Sequence, residues 1–269
     1  MSFLKDKTVL VTGAGGSIGS ELCRQIMRQD PKKLILFDNS ELALYNIDRK
    51  LAADNVVPML GDITRCEDLS RAFQHRVDVV YHVAAYKHVT LCEKNRDAAH
   101  RVNVVGTRWL VDVARIWKVS TLVLVSTDKA VRPTCIMGDT KRLAEQIVRV
   151  AGYTIVRLGN VSGSSGSVLP LWREQIAAGK PVTITDPDAT RYFISAYQAA
   201  NDIILASSMG PGTFVPEMGG PMRLGDMAIL NGVTDFNVVG LRPGEKLHEE
   251  LFVGERVVTE HPEIFKDAA

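Results

Sequence analysis

The chain has 269 residues, enough for one large domain or a domain with an appendage, and its 46% hydrophobic and 23% charged content fits a soluble globular protein. Thirty-two basic and 31 acidic side chains leave a net charge of +1, which gives no electrostatic reason to expect a nucleic-acid or membrane-surface partner. No apolar run approaches the roughly 20 residues that span a bilayer, and MSFLKDKTVL leads straight into a strand, so no signal peptide and a cytoplasmic location are expected.

In chain order, TVLVT (8–12) predicts a strand and 17–29 a helix; LILFD (34–38) a strand and 40–53 a helix; VVPML (56–60) a strand and 65–74 a helix. VDVVYH (77–82) is a fourth strand, followed by a long helical stretch over about 97–117. TLVLVS (121–126), a helix over 138–151 and YTIVRL (153–158) complete the first half. Strands separated by helix-length segments imply βαβ units, and so a Rossmann-type α/β fold with a doubly wound parallel sheet. Past residue 160 the alternation breaks at GNVSGSSGSVLP. Residues 1–160 are therefore read as the dinucleotide-binding domain and 161–269 as a smaller substrate-binding region interleaved with it. Strands are expected there near 182–184, 213–216 and 236–239, and helices near 168–178, 196–209 and 224–231. The four cysteines (Cys23, Cys66, Cys92, Cys135) lack paired metal spacing and read as reduced thiols; no metal is expected.

The first strand runs into TGAGGSIG, where Gly13, Gly16 and Gly19 hold a GxxGxxG spacing. Such glycines permit a tight turn, close approach of backbone to a pyrophosphate and tight helix–strand packing. A helix opening near Ser17 and Ile18 aims free N–H groups and its positive dipole end at that phosphate. Asp38 closes the second strand 19 residues after Gly19; a carboxylate there binds both ribose hydroxyls and repels a 2′-phosphate, which favours NAD over NADP. The alternative for Asp38 is a charge at a helix N-terminus ahead of Ser40. Asp62 and Ile63 follow the third strand, where an adenine edge would lie, although Asp62 also reads as an N-cap.

Taken together, VTGAGGSIGSELCRQI, LILFDNSELALY, LGDI, AAYKHV, STDKAV, MGDTKRLAE, RLGNVSGSSGSVLPL, ITDPDATRYF and LRPGEKLHEEL resemble the nucleotide-sugar 4,6-dehydratases of polysaccharide synthesis. That group lies within the extended short-chain dehydrogenase superfamily, and the resemblance runs from about residue 5 to 255. Within it the chain is similar to the UDP-N-acetylglucosamine 4,6-dehydratase branch that carries methionine where others carry a catalytic tyrosine: Met137 holds that place, four residues before Lys141. The resemblance implies NAD(P), a UDP-linked N-acetylhexosamine, a 4-keto-6-deoxy product with C5 configuration retained, and a homo-oligomer. The given sequence lacks the membrane-spanning region of longer members, is shorter between Lys141 and RLGNV, and stops soon after LRPGEKLHEEL.

Dehydration of this kind requires oxidation at C4, which acidifies the C5 proton, loss of water from C6, and return of the stored hydrogen to C6. The protein must receive the C4 hydroxyl proton, remove the C5 proton and protonate the leaving C6 oxygen. Thr127, Asp128 and Lys129 follow the fifth strand at the edge that faces the cofactor crevice. With the resemblance, Asp128 is expected to act as acid toward the C6 oxygen and Lys129 as base at C5; the bland alternative is a surface ion pair. Lys141 is expected at the nicotinamide ribose, and Met137 against the ring or the sugar. No tyrosine in the chain has a lysine four residues later, so Thr127 is the candidate for the C4 proton, through water or Asp128.

Ala84 and Ala85 are small enough to let the chain pass close to the cofactor, while Lys87 and His88 could meet phosphates or sugar. Asn103 reads as a structural hydrogen-bonding residue. Asn160 closes the sixth strand; Ser164, Ser165, Gly166 and Ser167 supply hydroxyls and N–H groups before a helix, a place for a diphosphate. Arg191 and Arg242 can fork onto phosphates, and Glu245 and Lys246 fix the loop of LRPGEK. An epimerase needs the same C4 oxidation but no acid at C6, so the Asp128–Lys129 pair speaks against that alternative. A non-catalytic NAD-sensing protein is the reading from another class.

Overall fold

A computed structural model describes residues 2–233 and 235–269. The elements are β1 (Thr8–Thr12), α1 (Ser17–Met27), β2 (Lys33–Asp38), α2 (Glu41–Leu51), β3 (Val56–Leu60), α3 (Cys66–Phe73), β4 (Val79–His82), α4 (Val89–Lys94) and α5 (Arg96–His100). A π-helical turn (Arg101–Gly106) leads into α6 (Thr107–Ile116), followed by β5 (Thr121–Thr127), a 3₁₀ turn (Asp128–Ala130), α7 (Ile136–Val150), β6 (Thr154–Leu158) and β7 (Asn160–Val161). Then come α8 (Val168–Ala177), β8 (Val182–Ile184), β9 (Thr190–Arg191), β10 (Phe193–Ile194), α9 (Ala196–Ser207), β11 (Gly212–Pro216), β12 (Met222–Arg223), α10 (Leu224–Leu230), β13 (Phe236–Val238), β14 (Arg256–Val258) and β15 (Ile264–Asp267).

The main sheet has the order β14-β15-β11-β6-β5-β4-β1-β2-β3. From β3 to β11 all pairings are parallel, and the strand order reverses direction between β1 and β4. This is the Rossmann arrangement, with the crevice at the carboxyl ends of the strands. Burial explains why the central strands are nearly continuous apolar runs: side chains alternate between two covered faces. Val9, Val11, Leu34 and Leu36 join one core with Leu22 and Ile26 of α1 and Ala199 and Ile203 of α9. Leu10, Ile35 and Phe37 join the other with Leu69 and Phe73 of α3, Leu110 of α6 and Val148 of α7.

Three expectations are corrected. The helix over 97–117 is broken by the π turn, which carries Asn103 inward, and another short helix, α4, precedes it. The strand at 213–216 belongs to the main sheet, parallel to β6, and the sheet is not wholly parallel, because β15 and β14 extend it antiparallel. Their signal was missed because the strands are short and lie at an edge, where polar residues interrupt the alternation. A third, smaller core lies in the C-terminal half, where Trp172 packs with Val182, Ile184, Leu224, Met227 and Ala228, and β8 pairs with β13. Among the described residues no helix is long and apolar enough to cross a membrane.

Candidate active site

The turn after β1 is shaped by contacts that leave no room for side chains. A Cβ on Gly13 (φ 68°) would lie 2.8 Å from the Ala84 nitrogen, and one on Gly19 would lie 2.0 Å from the Gly13 carbonyl oxygen. Gly16 occupies the N-cap of α1 in extended conformation, with no side-chain cap and no acid in the first turn. The first N–H groups of α1 are thus free of side-chain acceptors and of negative charge, which suits a pyrophosphate. Asp38 is buried and pins this turn: one oxygen accepts from Gly15 N (2.9 Å), the other from Ser40 N (2.9 Å). Both acceptor roles leave lone pairs for a ribose. Asp62 accepts from Thr64 N (2.8 Å) but does not cap α3, which begins at Cys66; Ile63 is buried against Gly106.

Beneath the turn lies a buried line of hydrogen bonds. Thr107 Oγ1 donates to the Asn103 carbonyl (2.7 Å), so it must accept from His82 Nε2 (2.9 Å). His82 Nδ1 is then the acceptor for the Thr12 hydroxyl (2.8 Å). Burial, with Lys141 nearby, pushes His82 down to about 3, so the ring is neutral. Asn103 reaches across to the crevice, accepting from Tyr86 N (2.8 Å) and donating to Tyr86 O and Thr140 Oγ1 (both 3.0 Å). Ala84 and Ala85, just before it, are half-buried.

At the end of β5 the three predicted residues form one hydrogen-bonded group. Thr127 Oγ1 donates to Asp128 Oδ1 (2.8 Å), and Lys129 Nζ donates to the same oxygen (3.0 Å). Asp128 is fully buried, and its Oδ2 has no protein partner. Lys129 also reaches Asn160 Oδ1 (3.3 Å) and Glu249 Oε1 (3.3 Å). Burial favours the neutral amine, but Asp128 and Glu249 outweigh it, and the lysine is held above its ordinary value. The expected base is therefore an ammonium as the site stands. Lys141, buried in α7, donates to the Val125 carbonyl (2.7 Å); burial lowers it to about 8, against the pull of Glu145 one turn on. Met137 opens α7, where Cys135 Sγ accepts from Gly138 N (3.3 Å), and packs with Cys92, Ala99 and Cys135.

Residues after position 160 return to this edge. Ser165 N donates to Ser17 Oγ (3.2 Å), bringing the serine loop against the start of α1. Lys87 Nζ holds the same loop through Ser165 O (2.7 Å) and Ser164 Oγ (3.4 Å), and the His88 ring lies against Gly166 (φ 69°), where a Cβ would come within 2.4 Å. Ser167 precedes α8, but its hydroxyl makes no cap and is buried without a partner. Arg191 is buried and donates to the Thr190 and Leu247 carbonyls rather than to a carboxylate. Arg242 is exposed; Glu245 accepts from its backbone N (3.2 Å), and Lys246 ties the loop to Val131 O (2.6 Å). A cavity of about 130 Å³ is lined by Lys129, Asn160, Arg191, Glu245, Lys246 and Glu249, among others. Glu249 was missed from sequence, because nothing in HEE marks which acid turns inward.

A Rossmann sheet thus carries a glycine turn at one strand end and a hydrogen-bonded Thr-Asp-Lys group at another, both at the edge where the strands' carboxyl ends meet. Residues 9–268 match the family described as polysaccharide biosynthesis protein, and the chain belongs to that family. It is 41% identical over 273 residues to the capsular polysaccharide biosynthesis protein CapD of Staphylococcus aureus, covering 92% of this chain and 45% of that one. The chain thus spans about half the length of that curated relative. It is 31% identical to a UDP-glucose 4-epimerase of Rickettsia rickettsii (strain Sheila Smith), covering 94% and 79%. Among solved structures it is similar to Pen from Bacillus thuringiensis (TM-score 0.89, 32% identity, covering 98% and 88%). It shares its fold with DesIV, a dTDP-glucose 4,6-dehydratase from Streptomyces venezuelae with NAD and TYD bound (TM-score 0.80, 22% identity, covering 91% and 88%).

Proposed function

We propose that the protein carries out NAD-dependent 4,6-dehydration of a nucleotide-activated N-acetylhexosamine, UDP-GlcNAc to its 4-keto-6-deoxy product, for polysaccharide synthesis. The observation that carries this reading is the hydrogen-bonded Thr127–Asp128–Lys129 group, built on the buried Asp128 with both an acid and a base at one strand end. NAD fits the glycine turn and Asp38, and when bound it supplies oxidation at C4 and reduction at C6. Gly16, Ser17 and Ile18 offer N–H groups to its pyrophosphate, Asp38 the ribose contact, and Lys141 a charge near the reacting end. Ser165–Ser167, Lys87 and Arg191 are the groups for the sugar diphosphate.

The proton economy follows from the hydrogen bonds. Thr127 takes the C4 hydroxyl proton and passes its own to Asp128 Oδ1. Asp128 delivers that proton to the C6 oxygen, which leaves as water. Lys129 takes the C5 proton and, as an ammonium whose three hydrogens are equivalent and drawn from solvent, gives one back to C5 on the same face as hydride reaches C6, which retains configuration. Lys129 must first be neutral. Seating a sugar over its remaining exposed surface removes water from it, which is the effect that already opposes its charge. Met137 needs no proton in this scheme.

The test mixes the protein with NAD and UDP-GlcNAc in deuterated water and reads the product by mass spectrometry. Loss of one water with deuterium at C5 is expected, and Lys129→Ala should lower turnover by about 10²–10⁴ while NAD still binds. Normal turnover by Lys129→Ala overturns the assignment. The Rickettsia relative favours epimerisation as the second reading, for which the product would be isobaric with the substrate.

A further inference from the structure

Glu249 lies 120 residues beyond Lys129 in the chain (249 − 129), yet its Oε1 sits 3.3 Å from the lysine Nζ. The segment is fixed there from two sides. Thr190 N donates to Leu247 O (2.9 Å), Thr190 Oγ1 bonds His248 Nδ1 (3.0 Å), and Lys246 reaches Val131 O just beyond the 3₁₀ turn. Gly244 (φ 83°) presses so close to Cys135 that a Cβ would come within 2.7 Å.

A carboxylate placed only to hold the fold saturates its oxygens, as Asp267 does with Val253 N, Gly254 N and Arg157. Glu249 does not. Its Oε2 is buried without a hydrogen-bond partner, with the Lys246 ammonium only at 4.0 Å, and it borders the cavity beside Lys129. Unsatisfied buried carboxylate oxygens are rare enough to require a reason; among the described residues Asp128, Asp202 and Glu249 have one, and two of these three flank one lysine.

We propose that Glu249 is a positioning residue for the reaction: its carboxylate, opposite Asp128, holds Lys129 Nζ between the two acids at the cavity edge where the lysine meets the sugar. This rests on the dehydration reading above. The groups facing Lys129 are Asp128 and Glu249, which favour its charge, and Arg191, which opposes it. Lys246 and Glu245 stand across the cavity, and Cys135 forms its wall. Asp128 and Glu249 are thus the two carboxylates that favour the ammonium, and Glu249 is the one that carries no proton in the scheme above.

The sign is definite. A base works when neutral, so the rate rises with pH through the pKa of Lys129. Removing the Glu249 charge lowers that pKa, and the rising limb moves to lower pH. In Glu249→Gln, measured on the full chain with NAD and UDP-GlcNAc, the limb of kcat/KM should move down by about 1–3 pH units, the shift a close opposite charge causes. NAD binding and KM should change little. Glu249→Asp, whose charge is retained but withdrawn, should move the limb the same way by less. Deuterium uptake at C5 over the same pH range reports proton abstraction even where turnover is weak. A limb that stays in place in both variants, while Lys129→Ala abolishes uptake, overturns the role of Glu249 and leaves the dehydration reading standing. Normal turnover by Lys129→Ala overturns both.

Discussion

The glycine turn and the Lys129 cluster sit two strands apart on one sheet, at the ends of β1 and β5, yet they are built in opposite ways. The turn itself is one short segment, Gly13–Gly19, and its geometry is imposed by contacts: Gly13 against Ala84, Gly19 against Gly13, and Asp38 bonded to two backbone nitrogens. The cluster gathers Thr127–Lys129, Asn160, Arg191 and Glu249 from four distant places and leaves two carboxylate oxygens unsatisfied. A surface that receives a fixed ligand can have its backbone shape set beforehand, with free N–H groups already aimed. A site that moves protons must keep acceptors open, at a cost in stability met by the packing around it.

The contrast can be broken most directly at the turn. Gly19→Val places branched carbon where even a Cβ would lie 2.0 Å from the Gly13 oxygen, so the loss of stability should exceed about 3 kcal/mol. Chemical denaturation with and without NAD would measure it; a loss under 1 kcal/mol would mean the turn is adaptable. Next is the buried pair beneath the cluster, where Arg157 joins Glu145 of α7 (2.7 Å) and Asp267 of β15, while Glu145 also accepts from Ser126 (2.6 Å). Asp267→Asn removes one of that arginine's two carboxylates while Glu145 stays paired with it, and should cost about 1.5–3 kcal/mol. Burial pushes Asp267 up, but the Val253 and Gly254 N–H groups and Arg157 outweigh it and hold the carboxyl below its usual range, so its contribution is present above the unfolded value and lost as pH falls through the folded one.

At neutral pH the smallest expected effect is at His82, whose contribution changes only on acidification. Its folded value of about 3 lies below the unfolded 6.5, so the unfolded chain binds the extra proton between them. Stability is therefore full above pH 6.5 and declines as pH falls toward 3, by up to about 1.4 kcal/mol per unit. His82→Gln should flatten the slope of unfolding free energy between pH 6 and 4; an unchanged slope would show that His82 is not the group responsible.

Most of the Rossmann half was legible because its signals are local. Apolar runs of strand length, helical periodicity and the Gly13–Gly19 spacing all act within one βαβ unit. The Thr127–Asp128–Lys129 group was legible for a similar reason, since residues at the carboxyl end of a parallel strand share one crevice. Arg191 was read as a phosphate grip, and the structure brings it, buried, to the Lys129 cavity. The π turn at Arg101–Gly106 was not legible, because one inserted residue leaves the apolar pattern nearly intact while it re-aims Asn103 toward Tyr86.

What the sequence determined by itself was the sheet's central strands, the nucleotide turn and the presence of an acid beside a base. What only the tertiary structure decided was the charge of that base and the company it keeps. An ammonium's proton is governed by carboxylates within a few ångströms, and Glu249 comes within that range only when β9 pairs with the segment after Gly244. Through-space electrostatics has no counterpart in spacing along the chain.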